Sequence, residues 1–257
     1  MRPADAIARA LRSRGEGSAP AIVAFVTAGF PDRAGFAAQL AAVSAAADVV
    51  EIGVPFSDPM ADGVTIQRSS RRALEQGVTL AWILESLAAR ALHSGPPLVL
   101  MSYLNPLLAY GYGRLARDAR AAGIHGFIVP DLPLEECGEL RDALEPEGLA
   151  LVQMVTPVTP PARLAKLAGE AQGFVYAVTM TGTTGGAVAV PDALLAWLDD
   201  VRRNAAVPVC AGFGVRNAAQ VARLAGHVDG VIVGSALVEE LERGGDAAAF
   251  LRSLRAD

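Results

Sequence analysis

Aromatic residues make up only 5% of the 257 positions, and there are two cysteines and three histidines. Each scarcity excludes something. With few large rings, the core has to be built mainly from Ala, Val, Leu and Ile, which suits parallel strands wrapped by helices. Cys137 and Cys210 have neither metal spacing nor the density of a disulfide scaffold, so both read as packed, reduced thiols. His93, His125 and His227 are scattered and form no metal cluster; they read as surface or capping residues. No block of basic residues occurs and the net charge is −5, which argues against a nucleic-acid surface. No apolar run is long enough to span a bilayer, and residues 1–5 lead into an amphipathic segment rather than a signal core, so a cytoplasmic protein is expected. Neither a nucleophile elbow nor a Walker motif appears.

What is present is a quasi-repeat. Short apolar runs at 21–26, 48–52, 97–101, 126–129, 150–155, 173–178, 207–210 and 230–233 alternate with segments of helical periodicity. The helices are expected at 4–14, 33–46 (capped by Asp32), 65–76, 79–93, 113–122, 134–144, 161–168, 192–203 and 215–225, with Gly234-Ser235 opening the last ones. Residues 103–106 and 179–190 read as loops. No linker or low-complexity tract divides the chain. The pattern predicts one α/β domain over 1–257, a single (β/α)₈ TIM barrel with an extra N-terminal helix; a doubly wound sheet is the competitor.

In a barrel of this kind, the chemistry lies at the C-terminal ends of the strands. Glu51 ends an apolar strand, where burial raises a carboxyl's pKa and suits it to proton transfer near neutral pH; a structural ion pair is the plainer alternative. Just beyond it lies a turn-rich tail with Gly53, Pro55, Asp58, Pro59, Asp62 and Gly63. Asp62 can reach the same mouth, although it and Asp58 can equally make turns or cap the next helix. Gly212, Gly214, Gly234 and Ser235 follow the last two strands, where bare backbone N–H groups and a helix dipole favour an anion. From the residues alone this suggests acid–base or carbon–carbon cleavage chemistry on a phosphorylated substrate.

The motifs then point to a family. Phe25-Val26-Thr27-Ala28-Gly29-Phe30-Pro31, Glu51-Ile52-Gly53-Val54-Pro55-Phe56-Ser57-Asp58-Pro59 with Ala61-Asp62-Gly63, and Thr65-Ile66-Gln67 all match the α subunit of tryptophan synthase. So do Tyr103-Leu104-Asn105-Pro106, Pro130-Asp131-Leu132-Pro133, Gly182-Thr183-Thr184-Gly185, Gly212-Phe213-Gly214 and Val233-Gly234-Ser235. The chain resembles that family over nearly its whole length.

The resemblance implies retro-aldol cleavage of indole-3-glycerol phosphate to indole and glyceraldehyde 3-phosphate. It implies that Glu51 shuttles protons, including the one delivered to indole C3, and that Asp62 binds the indole N–H and stabilises the charge developing on the ring. Gly185, Gly214, Gly234 and Ser235 match the phosphate site. Phe25, Tyr176, Phe213 and Ile232 match the indole pocket, and Thr184 matches the loop threonine that positions the aspartate on closure. The implied partner is a pyridoxal-phosphate β subunit in an αββα heterotetramer, met by the loops around Asp58, Tyr103, Asn105 and Pro106. This chain itself is expected to carry no cofactor. One departure is visible: from Met180 to Val190 the strand-six loop has no basic residue, where some relatives have an arginine at the Met180 position and many have a basic residue soon after the second glycine. Stand-alone relatives that release free indole share these catalytic residues. A phosphosugar isomerase or epimerase on a similar barrel, or a non-catalytic activating subunit, are the remaining alternatives.

Overall fold

A computed structural model of the chain describes residues 2–13, 19–89, 95–179, 190–212 and 214–255. Eight parallel strands pair in sequence order and close on themselves, β8 returning to β1. They are β1 (Ala21–Thr27), β2 (Val49–Gly53), β3 (Leu98–Met101), β4 (Ile124–Ile128), β5 (Ala150–Val155), β6 (Val175–Val178), β7 (Val209–Gly212) and β8 (Gly230–Val233). The barrel is therefore a TIM barrel, with no edge left open to solvent.

The first helix, α1 (Pro3–Arg12), precedes the barrel. After β1 comes α2 (Phe36–Ser44); after β2 come α3 (Val64–Glu75) and α4 (Leu80–Ala88). The β3–β4 connection holds α5 (Leu104–Tyr110) and α6 (Tyr112–Ala121), and α7 (Gly138–Leu144) follows β4. The later connections carry α8 (Pro161–Glu170), α9 (Asp192–Asn204) and α10 (Ala218–Leu224), and β8 is followed by α11 (Ser235–Glu242) and α12 (Ala247–Ser253).

Alternation along each strand sends one set of side chains outward to the helices and the other into the barrel. The outward set joins the larger apolar cluster with Leu40, Ile83, Leu115, Leu164, Leu198 and Leu237 from the helices. The inward set includes Val23, Val49, Val99, Val152 and Cys210, and it packs with Ile7 and Leu11 of α1. The latter two lie under the N-terminal ends of β6 and β8, where a Cβ on Gly173 would meet Ile7 and one on Gly230 would meet Leu11. A backbone bond from Ala4 N–H to Gly148 O (3.0 Å) and a side-chain bond from the Arg12 guanidinium to Ala206 O (2.9 Å) hold α1 there. The amphipathic opening segment is thus a plug for the bottom of the barrel.

Several boundaries differ from the sequence expectation, each for a local reason. The stretch 103–106, expected as a loop, enters helix α5, because Pro106 falls in its first turn, where its missing N–H has no intrahelical partner to lose. The helix expected over 134–144 is a short 3₁₀ turn, Leu134–Glu136, followed by α7 after Cys137. Asp32 accepts from the Gly35 N–H at 3.0 Å and shapes a turn, so α2 begins only at Phe36 with Gly35 as its flanking residue. Gly212 is the last residue of β7 rather than part of the loop beyond it. Both cysteines are buried free thiols. His227 pairs with Asp199 at 2.9 Å, and His125 accepts the Leu98 N–H at 3.3 Å where the β3–β4 register shifts. Residue 93 lies outside the described residues.

Candidate active site

At the C-terminal mouth, a cavity of about 420 Å³ opens between the strand ends. Glu51, Asp62, Phe25, Tyr176, Ile232, Gly214, Gly234 and Ser235 all line it, so the catalytic, apolar and anion-binding candidates converge on one space. Gly185, Thr184 and Phe213, together with the loop 180–189, lie outside the described residues.

Glu51 comes up from the floor. It sits on the inner face of β2, in register with Phe25 on β1 and Val99 on β3, and is 1% exposed. Its carboxyl makes no hydrogen bond with a described residue, and Oε2 is fully buried. No ion pair forms at Glu51 among the described residues, which removes the structural ion-pair alternative there. Burial pushes its pKa up from the ordinary 4.5 to about 8, with the Asp62 charge adding to the shift. A neutral carboxylic acid at the base of the pocket is a proton source near neutral pH.

Asp62 comes from the side, on the segment between β2 and α3. Gly63 flanks the N-terminus of α3 and no side chain caps it, so neither Asp58 nor Asp62 serves as a helix cap. Burial lifts the Asp62 pKa to about 6, while a hydrogen bond from the Tyr103 hydroxyl opposes that rise. The same hydroxyl accepts the Ala61 N–H at 2.9 Å, and the Tyr103 ring stacks on Phe56 with centroids 5.1 Å apart. Tyr103 was expected on the partner-facing surface; its side chain instead points inward, 4% exposed, and anchors the Asp62 segment. Of the other residues expected on that surface, Asp58 and Asn105 are exposed and Pro106 is half-buried. The Asp58 carboxylate accepts from the Ser57 hydroxyl at 2.5 Å.

The helix behind Asp62 is fastened to the opposite wall. Thr27 and Ser69 share a buried hydroxyl contact of 2.7 Å between β1 and α3. Glu239 of α11 takes both arms of Arg216 (2.8 and 3.0 Å) and the Thr65 hydroxyl (3.2 Å). A second pair, Arg68 with Glu242, joins the same two helices. Asp62 therefore sits three residues from a tie to α11, the helix that Ser235 begins.

Across the mouth, α11 starts with no side chain on its first N–H groups, which leaves them and the positive helix end facing the cavity at Gly234 and Ser235. Gly214 has φ +67°, a left-handed conformation that favours glycine, and a Cβ there would meet nothing. The apolar walls depend on glycine elsewhere: a Cβ on Gly53 would come within 2.5 Å of the Phe25 ring, and one on Gly212 within 2.8 Å of the Tyr176 ring. Those two glycines let the rings lie across neighbouring strand ends. Met101, Met154, Val178, Ile66 and Pro130 complete the lining and were not singled out from the sequence. Strand parity with Glu51 and Tyr176 was the available signal for Met101, Met154 and Val178.

Two carboxyls with raised pKa values, an apolar slot and a helix N-terminus at the C-terminal mouth of a closed barrel mark a TIM-barrel enzyme. The comparisons with known proteins narrow this class. The family model for "Tryptophan synthase alpha chain" matches residues 11–254. The tryptophan synthase alpha chain of Nitratidesulfovibrio vulgaris (strain DP4) is 44% identical over 251 residues, covering 97% of this chain and 98% of that protein. The one from Geobacter sulfurreducens is 43% identical and covers 93% of each. Among solved structures, tryptophan synthase from Mycobacterium tuberculosis superposes with a TM-score of 0.87 at 34% identity, over 99% of this chain and 98% of that one. The alpha subunit from Legionella pneumophila str. Paris gives 0.87 at 30% identity, over 99% and 97%. The chain belongs to the tryptophan synthase alpha chain family.

Proposed function

We propose that the chain is a lyase of tryptophan biosynthesis that cleaves indole-3-glycerol phosphate to indole and glyceraldehyde 3-phosphate, with Glu51 as proton shuttle and Asp62 as the partner of the indole N–H. The observation that carries the residue roles is Glu51: a buried carboxyl, without a hydrogen-bond partner among the described residues, at the floor of the cavity that Asp62 also lines.

In this reading protonated Glu51 delivers its proton to C3 of the indole, making a positive indolenine, and Asp62 as carboxylate holds the N–H and balances that charge. Glu51, now the base, takes the proton of the side-chain hydroxyl next to C3. The carbonyl forms, the carbon–carbon bond breaks, and its electron pair returns to the ring to give neutral indole. The phosphate rests on Gly214, Gly234, Ser235 and Gly185. Phe25, Tyr176, Phe213 and Ile232 form the flat slot for the ring, and Thr184 helps to seat Asp62.

Support for a partner comes from the family. A tryptophan synthase complex from Pyrococcus furiosus contains a chain that superposes here with a TM-score of 0.84 at 32% identity. We take the partner to be a β subunit, the assembly to be αββα, and pyridoxal phosphate to belong to the partner alone, with contact through the rim near Asp58, Asn105 and Pro106. We further read the chain as one domain working in the cytoplasm; no helix among the described residues is long and apolar enough to cross a membrane. The decisive assay supplies the purified chain with indole-3-glycerol phosphate and measures indole. Slow release alone and faster release with a β subunit are expected. No indole under either condition overturns the reading.

A further inference from the structure

A second cavity of about 420 Å³ lies beside the mouth, between the segments after β4 and β5 and the start of α8. Its unusual feature is Gln153. This residue stands on the outward face of β5, between Leu151 and Val155, both part of the apolar layer against the helices. Only 6% of it is exposed, and it lines the cavity. Its amide makes no hydrogen bond with any described residue, and its polar atoms open on the cavity rather than being enclosed by protein. The site it faces has apolar walls such as Leu134 and Leu167.

The charged groups at the rim are already engaged. Arg163 pairs with both oxygens of Glu135 at 2.7 and 2.8 Å, and Lys166 reaches the same carboxylate at 3.3 Å. Asp131 accepts the Leu104 N–H at 2.9 and 3.2 Å. What the cavity offers a ligand is therefore a neutral donor and acceptor side by side, between apolar walls on one side and Thr156 and Thr159 on the other.

We infer that this cavity, which adjoins the catalytic mouth at Pro130 and Met154, is a second binding site for a small neutral molecule carrying a carboxamide or lactam on an apolar body, read by Gln153. The ligand's C=O accepts from Nε2 and its N–H donates to Oε1, closing a paired set of hydrogen bonds. Anions are disfavoured because Arg163 is taken, and cations because Glu135 and Asp131 are.

Benzamide is a suitable probe, followed by ¹⁵N-correlated NMR of the full chain, with the Gln153 side-chain signal assigned by its loss in Gln153→Met. Saturable displacement of that signal is expected, with affinity on the order of 1 mM for a fragment of this size. Gln153→Met keeps side-chain length, and in it binding should weaken about tenfold, the loss of one net hydrogen bond. Its thermal transition and indole release, which Gln153 does not serve, report that the variant is folded. Benzoate and toluene should bind far more weakly than benzamide to the unaltered chain. Unchanged binding in folded Gln153→Met, toluene binding as well as benzamide, displacement confined to residues of the catalytic mouth, or no saturable change would each overturn the inference.

Discussion

Val49 and Glu51 stand on the same inner face of β2, two residues apart, and belong to opposite ends of the barrel. Val49 packs in a dry cluster that α1 closes from below, with Ile7 and Leu11 fully or almost fully buried. Glu51, one layer up, is as deeply buried, but its neighbours among the described residues give its carboxyl no hydrogen-bond partner and open a cavity above it. The lower end spends its burial on apolar contact, which stabilises the fold. The upper end buries a titratable group, which costs stability and raises a pKa into the range where it can move protons. The cavity above Glu51 lies at the end of the barrel opposite the helix plug.

The sharpest way to break this contrast is to replace the carboxyl. Glu51→Gln should lower kcat for indole release by about 10²–10⁴-fold, the usual worth of a positioned acid–base group, while the chain stays folded. Its effect on stability should run the other way. With a native pKa near 8 against an ordinary 4.5, Glu51 binds more protons folded than unfolded between those values, so stability falls as pH rises through that window. Denaturant titrations at pH 5 and 8 should show a decline of a few kcal/mol in the parent chain that shrinks in Glu51→Gln. An equal decline in both would remove Glu51 as its source.

Next in size comes the plug. Leu11→Ala should cost about 2–5 kcal/mol in chemical denaturation, through lost burial and the cavity left behind. At a temperature where the variant is still folded, kcat should be nearly unchanged. A large drop in kcat there would mean that the two ends are not independent.

Tyr103→Phe tests how the upper end is set. Removing the hydroxyl frees the Ala61 N–H and takes a hydrogen bond from Asp62. A loss of about tenfold in kcat/KM is expected, in line with one charge-assisted hydrogen bond. Because that bond holds the Asp62 pKa down, the rising limb of the pH profile, near 6 in the parent, should move to higher pH, while the falling limb set by Glu51 near 8 stays. A rising limb that does not move would detach Tyr103 from Asp62.

The smallest effect should come from Glu239→Gln, which weakens the Arg216 pair and its tie to Thr65. The pair is partly exposed, so a change of about 0.5–1 kcal/mol, read as a few-fold rise in KM with kcat less affected, is expected.

Much of this was legible along the chain. The eight apolar runs each became a strand within two or three residues, since a period-two or continuously apolar run bounded by glycine and proline leaves little else. Helix α5 was not, because Asn105-Pro106 is a turn signal by itself and becomes a helix start only when Leu107 finds a core to enter. Glu51 and Asp62 were recognisable as candidates, while Tyr103 was placed on the wrong face, since nothing near it in sequence announces Phe56 or Ala61.

The order of strands and helices, the apolar face of α1 and the presence of a carboxylate at the end of β2 are properties of local pattern, which the chain carries wherever it goes. Whether that carboxylate has a partner, which hydroxyl steadies Asp62, and what Gln153 meets beside its cavity depend on separate segments of the chain arriving at one place. Local periodicity sets which way a side chain points; only closure of the barrel sets what it meets there, and pKa and hydrogen bonding follow from the meeting.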